Sequence, residues 1–275
     1  MTVKKVGIIL NQQDYKENHK IIYVLTVDGK ESYLVMRAKR IKEGLLYDTE
    51  NLTQISFEAE DKNTLSKAKG IESINYFQTI KNDLKKYSVA SYALEVIYRM
   101  VLDNENPPIL YRLLLEFLKQ LEIREDYKML LLQFRIKLLY FLGINPQFRV
   151  CHKCGSDTNL VGLSIANGAV ECSLHPSNDN IGLDATKIIN LMYHDKTLSM
   201  RIEDDGVLTL LSNIIDSYYE KHQYYGIKSK VMLEKLGCYW QRQVLNIKYL
   251  RINWWIGRVV INYILEKNRL VKDSI

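Results

Sequence analysis

The residue types best suited to chemistry lie in one short region of this 275-residue chain. Cys151-x2-Cys154 is followed, after seventeen further residues, by Cys172-x2-His175. Two such pairs joined by a loop of this length can close a tetrahedral metal site, because each pair places two ligands on one side of the ion. The spacing predicts one structural zinc ion per chain, with His152 as the alternative fourth ligand. Reduced cysteines in a surface loop, with His175 at the surface, are the competing interpretation.

No arrangement typical of catalysis accompanies this region. A closed four-ligand site has no open position for water, which argues against hydrolysis. The chain has no phosphate-binding loop and no H-E-x-x-H motif, and Gly162-Leu163-Ser164 begins a nucleophile elbow that fails at Ala166. Glu203-Asp204-Asp205 is interpreted as a turn before a helix. The sequence therefore predicts a protein that is not an enzyme.

A second cluster consists of cations that follow a predicted strand: Arg37, Lys39, Arg40 and Lys42 fall within six residues. Beside exposed aromatic side chains such as Tyr15, Tyr23 and Tyr33, these cations would follow a phosphate backbone while bases stack on the rings. A solvated loop is the alternative, since tyrosines at strand spacing are often core residues. The cluster predicts a surface for nucleic acid.

Composition and charge limit the remaining function classes. With 47% hydrophobic and 25% charged residues, the chain can build a globular core. The net charge is +6, but residues 238–275 hold seven Lys/Arg and two Asp/Glu, which leaves about one positive charge elsewhere. Nucleic-acid affinity must then come from local clusters. No apolar run is long enough for a membrane span or a secretory signal, so we predict a cytoplasmic protein without a membrane partner. Binding to nucleic acid at the basic cluster would make this protein nucleoid-associated.

The elements that must position these residues differ along the chain. Short β-branched and aromatic runs predict strands at 6–10, 21–27, 32–36 and 55–59. Several short strands with tight turns and no covering helix favour an OB-type barrel, although an SH3-like barrel has a similar pattern. Helical periodicity then predicts helices at 87–102, 109–121, 129–142, 184–192 and 208–219. Pro107-Pro108 can start the second of these helices, Gly143 ends the third in a left-handed conformation, and Asp184 is the predicted N-cap of the fourth. Residues 150–180 are interpreted as irregular.

Short motifs in a fixed order carry a resemblance to a known family. They are Tyr15-Lys16-Glu17, Thr26-Val27-Asp28-Gly29-Lys30, the basic stretch from Arg37 to Arg40, Tyr92-Ala93-Leu94-Glu95, the helix from Gln133 to Gly143, and Gly226-Ile227-Lys228-Ser229-Lys230. Over roughly residues 3–237 the chain resembles the bacterial recombination mediator family RecO. The resemblance departs at Arg135, where the family has Glu, and at His175, where a cysteine is usual.

The resemblance implies an α+β multidomain protein: an OB-fold DNA-binding domain at residues 1–79 and a helical bundle at 80–237, with a zinc loop inserted at about 148–180. It implies binding to single- and double-stranded DNA, strand annealing, partnership with RecR, and help in loading RecA onto strands coated by single-stranded-DNA-binding protein (SSB). Lys228 and Lys230 join the DNA-binding candidates on this basis. The acidic, hydrophobic tail of SSB would dock on the helical domain, with Arg112, Lys119, Arg135 and Lys137 as candidate cations.

Two alternatives to a DNA-binding mediator stay open. One is a zinc-stabilised adaptor whose barrel binds peptides, and the other is a metal-dependent nuclease or hydrolase. The basic, aromatic extension at 238–275, with Trp240, Trp254 and Trp255, is interpreted either as a helix for DNA or a membrane surface, or as a translated frameshift or unrelated extension without function.

Overall fold

The computed structural model describes residues 2–39, 45–60, 66–102, 106–222 and 226–239. These residues form two compact units, one made of residues 2–134 with 226–239 and the other of residues 135–222. The predicted DNA-binding residues Arg40 and Lys42 and nearly all of the predicted extension, residues 240–275, lie outside the described residues. The predicted domain boundary at residue 79 stays a prediction.

Five strands of the first unit close into a barrel in the order β1-β2-β3-β5-β4, with β4 pairing back onto β1. They are β1 (Thr2–Tyr15), β2 (His19–Thr26), β3 (Gly29–Val35), β4 (Gln54–Glu60) and β5 (Lys67–Asn75). All neighbours are antiparallel except β3 and β5, which are parallel. This closed five-stranded barrel confirms the predicted OB fold.

Barrel closure depends on the length of β1 and on a glycine within it. The first half of β1 pairs with β4 and the second half with β2, and both pairings meet at Gly7, opposite Ile55 and Thr26. A Cβ atom at Gly7 would lie 2.8 Å from the carbonyl oxygen of Leu25. Only glycine permits this close approach of neighbouring backbones.

Two of the three tyrosines that were predicted to stack on bases pack against other aromatic rings instead. Tyr33 is 3% exposed in the barrel core, where its ring meets the edge of Phe57 at 4.9 Å between centroids. Tyr23 is half-buried and packs at 5.0 Å against Tyr98 of a neighbouring helix. Both rings therefore stabilise packing, and of the three predicted stacking tyrosines Tyr15 remains on the surface.

Helices α1 (Leu45–Asp48), α2 (Gln78–Lys81), α3 (Leu84–Met100), α4 (Pro107–Ile123) and α8 (Lys228–Lys235) complete the first unit. Asp83 caps α3 by accepting hydrogen bonds from the backbone N–H groups of Lys85 and Lys86 at 2.8 and 3.1 Å. Proline occupies the first turn of α4, as predicted. Lys30 joins the barrel to α3, because its Nζ donates to the carbonyl of Val101 just beyond that helix.

The second unit begins within α5 (Tyr127–Phe141), the helix in which the two units divide. Its other elements are β6 (Leu160–Ser164), β7 (Ala169–Cys172), α6 (Leu183–His194) and α7 (Asp205–His222). Helix α5 is buried almost all round and ends before Gly143, whose φ of 69° is left-handed, as predicted. The predicted irregular region instead contains the β6–β7 hairpin. Asp184 lies inside α6 and not at its N-cap. Within the described residues, no helix combines the length and hydropathy that a membrane crossing requires.

Candidate metal centre and nucleic-acid surface

The four predicted metal ligands meet at one point of the second unit. The ligand atoms of Cys151, Cys154, Cys172 and His175 all lie within 4.8 Å of one another. Cys154 Sγ is 3.7 Å from Cys172 Sγ, and His175 Nδ1 is 3.3 Å from Cys172 Sγ. Zinc–sulfur bonds of about 2.3 Å at tetrahedral angles place two sulfur atoms about 3.8 Å apart. The cluster can therefore hold a metal ion, and its fourth member is His175, not His152.

Two short turns bring the ligands together. In the first, the Gly155 N–H donates to the carbonyl of Cys151 at 2.8 Å, and the φ of Gly155 is 72°. In the second, the His175 N–H donates to the carbonyl of Cys172 at 3.0 Å. Each turn folds two ligands towards one side, because the backbone reverses within the two residues that separate them.

The surroundings of Cys151 lower the pKa of its thiol. Burial opposes its charged form, but backbone N–H groups of Cys154, Lys153 and Cys172 point at the sulfur and outweigh that effect. Together they lower the pKa of Cys151 to about 6. The pKa of Cys154 moves the other way, because a backbone N–H of Ser156 lowers it but the neighbouring sulfurs of Cys151 and Cys172 raise it more. Since a metal binds the thiolate and not the thiol, Cys151 is the ligand of this pair that ionises first.

Glu171 organises the loop that carries the second ligand pair, and sequence reasoning missed it. Its carboxylate is fully buried and accepts hydrogen bonds from the N–H and hydroxyl of Ser177, both at 2.8 Å, and from Asn180 Nδ2 at 3.0 Å. Asn167 Nδ2 donates to it at 3.3 Å. A carboxylate with several donors is satisfied although buried, so the loop has a defined path around Cys172 and His175. An isolated Glu beside a cysteine gives no sequence signal for this role.

Three predicted DNA-binding residues meet at one end of the barrel. Tyr15 pairs with His19 at the β1–β2 turn, and the backbone N–H of Arg37 donates to His19 Nδ1 at 2.9 Å. The N–H of Lys39 donates to the carbonyl of Asn18 at 3.3 Å, so the segment after β3 is attached to the same turn. Buried Ala38 anchors this segment in the barrel core.

A fourth side chain joins this group. Lys16 has its Nζ 5.4 Å from the centre of the Tyr15 ring, a cation–π distance that the sequence did not indicate. Tyr15, Lys16 and Arg37 are exposed, whereas Lys39 is half-buried and paired with Asp14 at 2.5 Å. We call Tyr15, Lys16, Arg37 and Lys39 the basic barrel end.

The other DNA-binding candidates among the described residues lie in α8. Lys228 is exposed in its first turn, and Lys230 has its Nζ 5.1 Å from the centre of the Tyr239 ring. Glu95 of α3 holds this turn, since it accepts hydrogen bonds from the N–H groups of Lys228 and Ser229 at 3.1 and 2.8 Å. The motif around Lys228 therefore has a structural role at the surface of α3.

The partner-binding candidates are not equivalent. Arg112 and Lys119 are exposed and, being seven residues apart on α4, lie on one helical face. The exposed Ile109 and Ile123 share that face at helical spacing. This face combines cations with apolar side chains.

Arg135 was predicted to lie on the partner-binding surface, but the structure buries it in the second unit. Its side chain is 2% exposed and pairs with Asp216 at 2.6 Å, while its guanidinium lies 5.1 Å from the centre of the Tyr219 ring. Lys137 is half-buried, and its Nζ donates to the carbonyls of Tyr193 and Asp195 at the end of α6. Burial lowers the pKa of Lys137 although Asp195 opposes this. Arg135 is a core residue and Lys137 a helix-end contact.

Comparison with known proteins extends these observations. Two family models match the chain, described as Recombination protein O N terminal over residues 1–77 and Recombination protein O C terminal over residues 81–230. The DNA repair protein RecO of Bacillus cytotoxicus is 26% identical over 244 residues, which cover 86% of this chain and 98% of that protein. RecO of Bacillus cereus and of Bacillus anthracis match with 26% identity over 243 residues and the same coverage. The two family models together include the barrel, the metal cluster and the start of α8.

Proposed function

The chain belongs to the RecO family of DNA repair proteins, and from this premise we propose that it binds single-stranded DNA at the basic barrel end and anneals complementary strands. On strands coated by SSB it helps to load the RecA recombinase, together with RecR. This work requires no covalent catalysis, because annealing needs charge neutralisation and strand alignment. The protein would act in the cytoplasm, at the nucleoid.

The observation that carries this proposal is the meeting of Tyr15, Lys16 and Arg37 at one end of a closed barrel. Cations that follow a phosphate backbone and an exposed ring on which bases stack are the two components of sequence-independent single-strand binding. Lys39 contributes less because Asp14 neutralises it. Lys228 and Lys230, with the predicted Arg40 and Lys42, extend the proposed DNA-binding set.

The exposed face of α4 suits the acidic, hydrophobic tail of SSB. Arg112 and Lys119 would pair with its carboxylates, while Ile109 and Ile123 provide apolar surface on the same helical face. Arg135 and Lys137 do not belong to this surface, since both side chains are occupied within the second unit.

The metal cluster would hold zinc in a structural role. Three sulfur ligands and one imidazole nitrogen suit zinc, and four protein ligands leave no coordination position for water. When bound, the ion would link the two ligand turns, while Glu171 keeps the intervening loop in place. The metal then supports the fold of the second unit and takes no part in a reaction.

Strand annealing in the presence of SSB tests the proposal. Two complementary labelled strands, each coated with SSB, should form duplex faster with the protein than without it. Affinity for a bare single strand should fall as salt rises, with a log–log slope of about 0.7 per phosphate contact. A flat slope together with no annealing would favour the peptide-binding adaptor. Cleavage of DNA in Mg²⁺ or Zn²⁺ would favour the hydrolase.

A further inference from the structure

A lysine points into the barrel at the end where the basic barrel end lies. Lys20 precedes Ile22 by two residues on β2, and Ile22 belongs to the barrel core, so strand alternation turns the Lys20 side chain inwards as well. Its neighbours across the sheet are Asp14 of β1 and Val35 of β3. Only 6% of Lys20 is exposed. A lysine so buried needs a compensating anion, because its ammonium has lost most of its hydration.

The described residues provide no such anion. Lys20 forms no hydrogen bond and no ion pair with any of them. The carboxylate beside it, Asp14, pairs with Lys39 at 2.5 Å. Burial lowers the pKa of Lys20, and the carboxylates of Glu50 and Asp14 oppose this without cancelling it. The ammonium of Lys39 lowers that pKa further.

The opposite end of the barrel shows how this fold compensates an inward-facing lysine. Lys5 pairs across the sheet with Phe57 of the core, so its side chain also points inwards. Its Nζ contacts the carboxylates of Glu31 at 2.6 Å and Asp28 at 3.1 Å. Two carboxylates therefore balance the lysine at that end, whereas no carboxylate of the described residues pairs with Lys20.

The ammonium of Lys20 can be reached by a ligand. Its Nζ is not one of the fully enclosed polar atoms that lack a partner in the described part of the chain, so it keeps accessible surface. Lys39 is attached to the β1–β2 turn at the same end and acts on Lys20 as a like charge. A phosphate that accepts from both ammonium groups would give Lys20 a partner and offset their repulsion.

We propose that Lys20 and Lys39 hold one backbone phosphate of a bound DNA single strand, in competition with the carboxylate of Asp14. The side chain of Asp14 is 67% exposed, so its carboxylate can return to water at little cost when the phosphate replaces it. This inference rests on the proposed single-strand binding and adds Lys20, a contact that the sequence did not indicate. Inorganic phosphate offers the same chemistry, and the experiment separates the two sources.

Lys20→Met tests the inference, because it keeps an unbranched side chain and removes the ammonium. Fluorescence anisotropy would measure binding of a labelled oligo(dT) at several NaCl concentrations. The variant should bind about 10-fold more weakly or worse, the loss of one hydrogen bond to a charged group. Its log–log salt slope should fall by about 0.7. Lys86→Met is the matched control, since Lys86 is 4% exposed but pairs with Glu125 at 2.9 Å, and it should bind like wild type.

Removing the competing carboxylate should have the opposite effect. Asp14→Asn frees Lys39 from an exposed ion pair, so oligo(dT) should bind up to about 5-fold more tightly. Glu58→Gln removes an exposed carboxylate from β4 and controls for the change in net charge. A gain in Asp14→Asn that exceeds the gain in Glu58→Gln supports the competition.

The outcomes separate this inference from the proposed function. If Lys20→Met melts like wild type and binds oligo(dT) with unchanged affinity and slope, Lys20 holds no strand phosphate, even if changes at Arg37 weaken binding. If Lys20→Met does not fold, equal affinities of Asp14→Asn and Glu58→Gln have the same meaning. Wild-type protein that binds no single strand would overturn both proposals.

A second titration identifies the source of the phosphate. Sodium phosphate should displace oligo(dT) from wild type more than NaCl does at equal ionic strength, and this difference should disappear in Lys20→Met. Should Lys20→Met lose the difference yet bind oligo(dT) like wild type in NaCl, the site would take free phosphate and the strand contact would be refuted.

Discussion

Glu95 of α3 accepts two hydrogen bonds from Ser229, one from its backbone N–H at 2.8 Å and one from its hydroxyl at 2.6 Å, across 134 residues of chain. Helix α8 needs this partner, because its own N-cap residue, Ile227, has no side chain that could accept from the first turn. The Glu95 carboxylate of α3 therefore takes the place of an N-cap side chain for α8. Two motifs that lie far apart in the sequence form one structural contact.

This contact makes the stability of the first unit pH-dependent. Burial raises the pKa of Glu95, but the hydrogen bonds from Ser229, Arg99 and Lys228 outweigh it, so the pKa lies below the ordinary value of 4.5. The stabilisation is fully present above pH 4.5 and is lost as the pH falls through the lower folded-state pKa. Glu95→Gln should lower the free energy of unfolding by about 0.5–2 kcal/mol at pH 7 and by less at pH 4. Urea titrations at both pH values measure this.

The matched control is Glu234→Gln, which removes an exposed carboxylate of α8. It should have little effect at either pH. An equal loss for Glu95→Gln at pH 7 and pH 4 would mean that the ionised form of Glu95 is not what holds α8.

The ion pair of Arg135 and Asp216 should be costly to break, because both side chains are almost fully buried at 2% and 6% exposure. Asp216→Asn leaves the guanidinium without its carboxylate, and we expect a loss of about 3–5 kcal/mol in the free energy of unfolding. Replacing both residues, as Arg135→Met with Asp216→Leu, should recover most of that loss. Chemical denaturation of the two variants measures this difference. A double variant as unstable as Asp216→Asn would contradict the ion-pair explanation.

The sequence predicted correctly the features that depend on residues close together in the chain. It gave the wrong environment for residues whose burial depends on a partner far away in the sequence. The spacing of Cys151 to His175 predicted the metal cluster, and Pro107 and Gly143 predicted where helices begin and end, since these effects act within a few residues. Arg135 appeared as a surface cation because its partner, Asp216, lies 81 residues later. Tyr33 appeared exposed for the same reason, as closure of the barrel buries it against Phe57.

The second unit should bind one zinc ion per chain, and metal removal should destabilise it. Cys172→Ser removes a buried ligand from the cluster, so it should abolish stoichiometric zinc and lower the melting temperature. Elemental analysis of purified protein and thermal denaturation with and without a chelator measure these effects. Cys238→Ser is the control, because Cys238 is buried but is not a member of the cluster. Purified wild-type protein without zinc, and indifferent to the chelator, would refute the metal assignment.

Changes at the basic barrel end should weaken DNA binding irrespective of sequence. Arg37→Gln with Lys39→Gln removes two cations that lie beside the β1–β2 turn, and the log–log salt slope on single strands should fall by about 0.7 for each phosphate that is no longer neutralised. Lys187→Gln with Lys196→Gln removes the same charge from exposed positions of the second unit. Anisotropy titrations at several salt concentrations compare the two. An equal change in both pairs would show that net charge matters and not this surface.

Charge reversal on α4 should weaken docking of the SSB tail. Arg112 and Lys119 are exposed on one helical face together with Ile109 and Ile123, so an acidic, apolar peptide can contact cations and methyl groups at once. Each exposed pair contributes about 0.2–1 kcal/mol, so Arg112→Glu and Lys119→Glu should each reduce affinity by about 1.4- to 5-fold. Titration calorimetry with a synthetic SSB tail measures this, and Lys85→Glu on α3 serves as the matched reversal at another exposed position. If Lys85→Glu weakened the peptide as much as the α4 variants, attraction would come from the overall field, and the tail would have no specific site on this face.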